Sequence, residues 1–566
     1  MPPTKTKTRR ITQACDFCHR RGVKCRPKSS ETGITITEEA SCLTCEEYGQ
    51  ECTRKRQPKK RGTKPRGASK TLATPEREIT ATSRQQYIEN TNSPPSESPI
   101  FDGIVGKPPL ELANRRTITE LLDVYLDSIH PNFPLFCERE LWVGWREGTF
   151  PQSDSNFMSL MCLCALSAQH VRDGALFSDN VDGTEWNNLR EAYIAEAIRL
   201  VSADFEKSDL NLVRSYTFLA LLGAQTGNNS MLHKFLSLCH GVSAQLNLDD
   251  ESRWPATITT CEQEVRRRLW WSIYRLEVHT ACVLGNMVRT SETRCGVGYP
   301  VGAHHPTFIP GRNGQYEDWF NGWNTTTDLY RVLEHAISDL RAKSGRSQSI
   351  LGPAKDSDSG IIMARLSEIH KRLLPQFVTP ASRSDDNGRN RCGFQAPNII
   401  CTIHLARLLS CVSGHGAPPQ ACAVADDLLT SITAIPLEYI RAAGSPLIQQ
   451  LAGVAHILVG LAKKHGLNQF QHAQVEQVVH SIICLLNLLS SQSSIACITR
   501  DRLTELLSEL QEIDALPRLD HGLIDISIPP SYTQDTFPAT LFNPSIIPDF
   551  SNELLTDFTW LYPPLS

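Results

Sequence analysis

The chain has 566 residues, of which 40% are hydrophobic, so it is too long for one compact core and apolar enough to build a large folded body. Its net charge of −4 hides an asymmetry: residues 1–67 hold 17 Lys and Arg against 7 Asp and Glu, and the remainder holds 40 against 54. A basic head on an acidic body predicts a polyanion, normally nucleic acid, as the partner of the head.

Neither secretion nor membrane insertion is indicated. The N-terminal stretch MPPTKTKTRR is polar and basic, which argues against a secretory leader. The longest apolar stretch, Leu447 to Ala462, is interrupted by two glutamines and a histidine, so we expect no membrane partner. Of the 19 cysteines, 13 are scattered between Cys137 and Cys497, mostly among apolar residues. That distribution is typical of buried thiols in a reducing compartment, not of a disulfide framework.

The head, residues 1–67, contains the other six cysteines in a repeated spacing, C-x2-C-x6-C, with 16 residues between the two halves. They are Cys15, Cys18, Cys25, Cys42, Cys45 and Cys52. A C-x2-C pair clamps a tetrahedral zinc, and six thiolates can serve two zinc ions if two of them bridge. Three disulfides conflict with the reducing context, and a single zinc with two free cysteines leaves the repeated spacing unexplained. We therefore predict two Zn²⁺ per chain, whose binding supplies the folding free energy of this small unit.

Residues 15–52, with the basic run that ends in Lys24-Cys25, resemble the Zn2Cys6 binuclear cluster of fungal transcription factors. The resemblance implies that Cys15 and Cys42 bridge the two ions and that each other cysteine binds one. It also implies double-stranded DNA as partner and the nucleus as location. Two departures concern the loop between the halves, 26–41: it is long for the family, and Ala40-Ser41 stand where a proline usually precedes the fourth cysteine.

The resemblance gives each half a short helix followed by an extended strand, and it places basic side chains on or near the first helix. We predict DNA contacts from Arg20, Arg21, Lys24, Arg26, Lys28, Arg9, Arg10, Lys59, Lys60 and Arg61. Arginine and lysine can bond guanine O6 and N7, as in CGG-like triplets, although most protein–DNA contacts only neutralise phosphates. We predict base contact for Arg21 and a structural or phosphate role for Lys24. Gly22 occupies a position where the family usually has Lys or Arg, so either Arg21 takes over that contact or the preferred site differs from CGG.

The basic run at 54–67 contains too much Gly and Pro for a helix, and it predicts a nuclear localisation signal, an arm along the phosphates, or both. Residues 68–115 are rich in Ser, Thr, Pro and charge, which indicates a flexible linker. A coiled coil is not supported there, because Leu72 and Ile79 are followed at the next heptad step by Gln86, and Pro75 interrupts them.

From 116 to 515 apolar residues recur at helical spacing, as in EVRRRLWWSIYRLEVHTACVLG, so we predict a large all-helical regulatory domain. Two segments resemble the fungal-specific transcription factor region: 125–136 (YLDSIHPNFPLF) and 264–274 (EVRRRLWWSIY), the second of which runs on to Leu284-Gly285. The resemblance covers roughly 116–370.

We interpret Arg266 to Arg268 as a solvated or salt-bridged helix face. Phosphate-loop, H-E-x-x-H and G-x-S-x-G motifs are missing, so we predict no enzyme. A small-molecule effector on the helical domain stays open.

Residues 516–566 lose the helical period, and 535–566 combine four acids and six aromatics with no Lys or Arg. This composition predicts a disordered activation segment that recruits coactivators, with a packed C-terminal strap as the alternative. The predicted core of the segment is Phe550, Leu554, Leu555, Phe558 and Trp560.

Taken together, the sequence predicts a mainly α chain made of a small binuclear zinc cluster, a flexible linker, a large all-helical domain and a disordered tail. The predicted function is sequence-specific transcription regulation, as an RNA polymerase II activator that reads short GC-rich triplets and controls a metabolic or secondary-metabolite pathway. A homodimer is left open. The alternative is a zinc-stabilised protein-interaction scaffold, or a repressor without activating function.

Overall fold

A computed structural model describes the chain in two compact units, Met1–Pro95 and Ser96–Ser566. In the first unit the described residues are 15–16, 18, 24–25, 41–47 and 51–53. In the second they are 112, 114–151, 153–175, 183–201, 208–301, 319–343, 359–384, 387–414, 418–465, 468–489 and 493–515. Among the described residues of the smaller unit, the short helix α1 (Leu43–Glu47) begins directly after Cys42.

The first half of the larger unit contains seven α-helices among its described residues. They are α2 (Arg115–Val124), α3 (Glu138–Glu147), α4 (Asp154–His170), α5 (Gly183–Val201), α6 (Leu210–Thr226), α7 (Asn229–Gln245) and α8 (Thr260–Leu284). A π-helical turn, Tyr125–Ile129, continues α2, and another, Val171–Ala175, continues α4. Short 3-10 turns at Glu251–Arg253 and Glu292–Arg294 lie on either side of α8.

The second half contains eight described α-helices. They are α9 (Trp319–Lys343), α10 (Ser359–Arg372), α11 (Asn387–Ser413), α12 (Pro418–Thr433), α13 (Leu437–Ala443), α14 (Ser445–His465), α15 (Gln469–Leu489) and α16 (Ser494–Ala515). A 3-10 turn, Pro375–Phe377, precedes α11. The prediction of a mainly α chain is confirmed: within the described ranges there is no strand, only an isolated bridge between Asp250 and Gly296.

Local sequence explains where several of these helices begin and end. The side chains of Ser153, Asp209 and Thr259 each accept a hydrogen bond from a backbone N–H in the first turn of the helix that follows. These side chains satisfy donors that the helix itself cannot pair. Helices α6 and α8 end at Gly227 and Gly285, both at φ +69°, where glycine avoids the steric cost that a Cβ would add.

One continuous hydrophobic core runs through the larger unit from Leu112 to Leu510. Helix α4 lies at its centre, since every residue from Phe157 to Gln169 is buried. Two helices, Arg389–Ser413 and Ser445–Lys463, are long and apolar enough to cross a bilayer, but 78% and 83% of their apolar windows are buried by the rest of the protein. They are core helices of this body, because the surface that a membrane would cover already contacts other helices.

Candidate metal centre

The smaller unit brings all six predicted cysteines together in two groups of four. Cys15, Cys18, Cys25 and Cys42 form one group, and Cys15, Cys42, Cys45 and Cys52 form the other. Within each group all sulfur atoms lie within 4.8 Å of one another. Cys15 and Cys42 are therefore common to both groups, the two residues that the family resemblance assigns as bridges.

The distances between the sulfurs test whether zinc would fit. Cys15 Sγ lies 3.8 Å from Cys42 Sγ and 3.5 Å from Cys45 Sγ, and Cys18 Sγ lies 3.7 Å from Cys42 Sγ. Thiolates held about 2.3 Å from a tetrahedral zinc are about 3.8 Å apart, whereas a disulfide joins its sulfurs at about 2.05 Å. All six cysteines are free thiols. The residues thus fit two tetrahedral ions, one held by each group.

Backbone N–H groups point at the shared sulfurs in the same way in both halves. The N–H of Cys18 donates to Cys15 Sγ at 3.5 Å, and the N–H of Cys45 donates to Cys42 Sγ at 3.3 Å. A third N–H, that of Cys42, donates to Cys52 Sγ at 3.4 Å. Such donors orient metal ligands and stabilise their negative charge. The C-x2-C spacing thus supplies both a ligand pair and a hydrogen bond to its first sulfur.

The ionisation of the thiols differs between shared and unshared positions. Burial raises the pKa of both shared thiols, but the hydrogen bonds they accept outweigh it, so the pKa of Cys15 is lowered and that of Cys42 falls to about 6. Burial, with the neighbouring thiols, raises the pKa of Cys18 to about 12 and also raises the pKa of Cys45. A cation that binds here must displace those protons, so binding releases protons and weakens as pH falls.

Three hydrogen bonds outside the sulfur cluster join the described residues of the two halves. The Thr44 hydroxyl donates to the backbone oxygen of Lys24 at 2.9 Å. The Thr53 hydroxyl donates to Asp16 Oδ2 at 2.9 Å, and the backbone N–H of Asp16 donates to the carbonyl of Thr53 at 2.8 Å. The first half is thus connected to the second at both of its ends.

Of the ten predicted DNA-contacting residues, the structure describes Lys24. It is exposed and directly precedes Cys25. The other predicted contacts lie outside the described residues: Arg9, Arg10, Arg20, Arg21, Arg26, Lys28, Lys59, Lys60 and Arg61. Gly22 and the tail residues Phe550, Leu554, Leu555, Phe558 and Trp560 also lie outside them.

A third group of candidate ligands, which we did not predict, lies in the larger unit. Cys137, Glu140 and Cys261 have ligand atoms within 4.8 Å of one another. A hydrogen bond from Cys261 lowers the pKa of the Cys137 thiol. The two cysteines lie in segments far apart in the sequence, so no motif spacing indicates their proximity.

The arginine-rich start of α8 is a set of ion pairs rather than a phosphate site. Arg267 bonds Glu251 at 2.7 Å and Glu264 at 2.9 Å, and Arg266 bonds Glu262 at 2.9 Å. Arg268 is fully buried and lies 3.5 Å from Glu264. The salt-bridged alternative is the one that the structure supports.

Comparison with known proteins supports the resemblance of the helical middle. Residues 122–304 match the family described as the fungal specific transcription factor domain. A curated protein from Aspergillus niger, described as transcription regulator galc, is 25% identical to this chain over 241 residues. That alignment spans 41% of this chain and 27% of the relative, about a quarter of the relative's length. The predicted resemblance of the helical middle is confirmed over 122–304, and the two matches are described as a transcription factor domain and a transcription regulator.

Proposed function

Because its helical middle carries the fungal specific transcription factor region, we propose that this chain is a sequence-specific DNA-binding regulator of RNA polymerase II transcription. The head, residues 1–67, would bind double-stranded DNA in the nucleus, and residues 68–115 would tether it to the helical domain, 116–515. Residues 516–566 would recruit coactivators. The genes controlled would belong to a metabolic or secondary-metabolite pathway.

The observation that carries this proposal is the sharing of Cys15 and Cys42 by two four-thiol groups. Six sulfurs arranged in this way satisfy two tetrahedral ions without a water or an open position, so the metal would be structural rather than catalytic. When bound, zinc would supply folding free energy and the positive charge that keeps six thiolates deprotonated. DNA binding by the head would then depend on side chains other than the six cysteines.

Those side chains are basic and lie close to the cysteines in sequence. Arg20 and Arg21 follow Cys18, and Arg26 follows Cys25, so a cluster that fixes these cysteines also restricts where the arginines lie. We propose that Arg21 contacts base edges in a GC-rich triplet, while Arg20, Lys24, Arg26 and Lys28 contact phosphates or bases. Contacts to phosphate give affinity and register, and contacts to base edges give sequence preference.

The basic residues on either side of the cluster extend this surface. We propose that Arg9 and Arg10 before it, and Lys59, Lys60 and Arg61 after it, contact phosphates. Each contact would steepen the fall of affinity with salt by roughly one unit of log–log slope. The run at 54–67 would also act as the nuclear localisation signal.

The second candidate function is a zinc-stabilised scaffold for protein partners, or a DNA-bound repressor whose tail activates nothing. One feature favours the scaffold, namely that the thiols leave no open coordination position on the metal. That feature is common to structural zinc sites in general. The excess of ten positive charges in residues 1–67 has no role in it, whereas DNA binding requires such an excess.

Two measurements on the full chain test the proposal. The first is zinc content after gel filtration, in the parent and in a Cys137→Ser/Cys261→Ser variant that removes the third thiol group. We expect about two zinc ions per chain in both. The second is selection of bound sites from random duplex DNA, with paired half-sites at fixed spacing revealing a homodimer. A chain with no sequence preference, or with another zinc content in the variant, would contradict the proposal.

A further inference from the structure

A cavity lies inside the larger unit where the segment that matches the transcription factor family meets the helices that follow it. The space between its walls measures about 790 Å³ when the open mouth and the solvent there are counted. Ile129 and Leu276 line it from the first half of the unit, and Leu447 lines it from α14. These walls suit a ligand with an apolar body.

A buried positive charge also lines the cavity. Arg275 is 2% exposed, and its Nε and Nη1 atoms have no hydrogen-bond partner. No Asp or Glu lines the cavity among the described residues. Burial lowers the pKa of Arg275 to about 10, against an opposing effect of Tyr330, and a guanidinium nevertheless keeps its charge at neutral pH.

The surroundings of Arg275 stabilise its charge without satisfying its donors. Its guanidinium carbon lies 5.1 Å from the ring centre of Trp323, 5.6 Å from that of Tyr330 and 5.7 Å from that of Phe133. Such cation–π contacts stabilise the positive charge, but rings do not replace hydrogen-bond acceptors. The site therefore has a cation, an aromatic enclosure and two N–H groups without an acceptor.

Other buried arginines described in this unit have a carboxylate or a carbonyl as partner. Arg391 bonds the carboxylate of Glu138, and Arg268 lies beside that of Glu264. Arg214, which has no carboxylate within ion-pair distance among the described residues, donates through Nε to the carbonyl of Leu135 at 2.8 Å. Arg275 differs because it has neither partner, and an unpaired buried charge is costly unless something else compensates it.

A second polar group in the cavity lacks a partner. The amide nitrogen of Asn132 donates to the carbonyl of Phe394 at 3.0 Å, which identifies Oδ1 as the remaining acceptor, and Oδ1 has no hydrogen bond. Trp323, whose ring lies beside Arg275, donates to the backbone oxygen of Asn132 at 3.0 Å. The unsatisfied donors of Arg275 and the unsatisfied acceptor of Asn132 thus belong to neighbouring parts of the same wall.

We propose that this cavity binds a small organic carboxylate whose charged group pairs with Arg275. A hydroxyl on the same ligand donates to Asn132 Oδ1, and the apolar remainder contacts Ile129, Leu276 and Leu447. Nη1 and Nη2 lie on one edge of the guanidinium, so a planar carboxylate there can accept two parallel hydrogen bonds, one of them from the unpartnered Nη1.

Such a ligand would contact residues inside the family match, which ends at residue 304, such as Leu276. It would also contact residues beyond that match, such as Tyr330 of α9 and Leu447 of α14. It would favour the arrangement of helices in which these residues enclose it, to the extent that it binds that arrangement more tightly than any other. The use of this bias to regulate transcription rests on the proposed function. Ligand binding itself does not, and it can be measured without DNA.

The test uses the full chain with 3-phenyllactate, 2-hydroxyisocaproate and 4-hydroxybenzoate, each compared with its primary amide. Thermal unfolding and titration calorimetry report binding. At least one acid should raise the melting temperature in a saturable manner, and its amide should not. Arg275→Met should weaken binding of that acid at least about tenfold, the loss expected for a charge-assisted hydrogen-bonded pair.

Two further variants separate ligand binding from structure. Arg275→Met without ligand should melt at the parent temperature or above it, because it removes an uncompensated buried charge, whereas Arg214→Met should melt lower and bind the acid normally. Ala443→Leu, which fills part of the cavity, should abolish binding while leaving Arg275 in place. Failure of all three acids, equal binding of an acid and its amide, unchanged binding by Ala443→Leu, or unfolding of Arg275→Met would overturn the proposal.

Discussion

Glu138 and Arg391, which are 253 positions apart in the chain, form a buried bidentate ion pair. Arg391 Nη2 donates to Glu138 Oε1 at 2.7 Å, and Nη1 donates to Oε2 at 3.0 Å. The pair joins α3 to α11, and so connects the first and second halves of the helical body. Although burial raises the pKa of Glu138, the charge of Arg391 and its hydrogen bonds outweigh that effect and lower it.

Removing one member of this pair should destabilise the fold strongly. Arg391→Met leaves the Glu138 carboxylate buried and unpaired, so we expect a loss of about 3–5 kcal/mol in the free energy of unfolding by urea. The double variant Glu138→Leu/Arg391→Met should recover much of it. The exposed pair of Arg116 and Glu120 supplies the control, since Arg116→Met should change stability by no more than about 0.5 kcal/mol. Equal effects of the buried and exposed changes would contradict this account.

Close packing around Gly393 and Gly322 leads to a second prediction. A Cβ on Gly393 would lie 2.3 Å from the Tyr439 ring, and a Cβ on Gly322 would lie 2.2 Å from Phe377. Gly393→Ala and Gly322→Ala should each lower the free energy of unfolding by about 1–3 kcal/mol or more, because neither ring can move away without disturbing the core.

Gly241 is the matched control for both. It lies in the interior of α7, where a Cβ would meet nothing within 4 Å. Gly241→Ala should raise the free energy of unfolding by about 0.5–1 kcal/mol, because alanine loses less backbone entropy in a helix. A shift of the urea midpoint in the same direction for the core variants and for Gly241→Ala would contradict close packing at Gly393 and Gly322.

The helical character of the body could be predicted because it depends on local periodicity, but the cavity could not. Arg268 and Arg275 are seven residues apart in one helix and look equivalent in sequence. Arg268 has Glu264 four residues before it, within reach on the same helix face, whereas Arg275 has Trp271 there. The sequence thus shows that Arg275 has no local partner, but it cannot show that no distant chain segment supplies one.

A similar contrast separates the two kinds of thiol group. The repeated spacing around Cys15 and Cys42 indicates that six thiols gather, because each C-x2-C turn is a local feature. Cys137, just before α3, and Cys261, in the first turn of α8, come together only in the folded body. The membership of Cys15 and Cys42 in both groups depends on how the two halves face each other, which spacing alone does not specify.

Zinc content should depend on which cysteine is removed, if the head holds zinc as proposed. Cys42 belongs to both four-thiol groups, whereas Cys18 belongs to one. Cys42→Ser leaves each group with three thiols, so we expect almost no zinc to survive gel filtration. Cys18→Ser leaves the other group complete, so about one zinc ion per chain should remain. Mass spectrometry of the eluted metal measures both, and an equal loss in the two variants would contradict the shared arrangement.

The hydrogen bond from Thr44 to the carbonyl of Lys24 should tighten zinc binding without contacting the metal. Thr44→Val removes the donor and leaves a carbonyl unpaired, at a cost of about 0.5–1.5 kcal/mol, so affinity for zinc should fall roughly two- to tenfold. Thr44→Ser keeps the hydroxyl and should bind as the parent does. Competition with a fluorescent zinc chelator measures the difference, and identical affinities for Val and Ser would refute this role.

Buried histidines should make the helical body less stable in mild acid. Burial lowers the pKa of His279 to about 4, although its hydrogen bond with Gln449 acts in the opposite direction. The pKa of an unfolded histidine is about 6.5, so between pH 6.5 and 4 the unfolded chain binds a proton that folded His279 does not. Stability should therefore fall as the pH falls through this window, by on the order of 3 kcal/mol for His279 at most.

His279→Gln removes this titration and retains a side chain able to bond Gln449. Its free energy of unfolding, measured in urea from pH 7 to pH 4, should decline less steeply than that of the parent. His370→Gln changes an exposed histidine of α10 and should follow the parent. If His279→Gln declines as steeply as His370→Gln, then His279 is not held neutral by burial, and the acid sensitivity of the body arises at other residues.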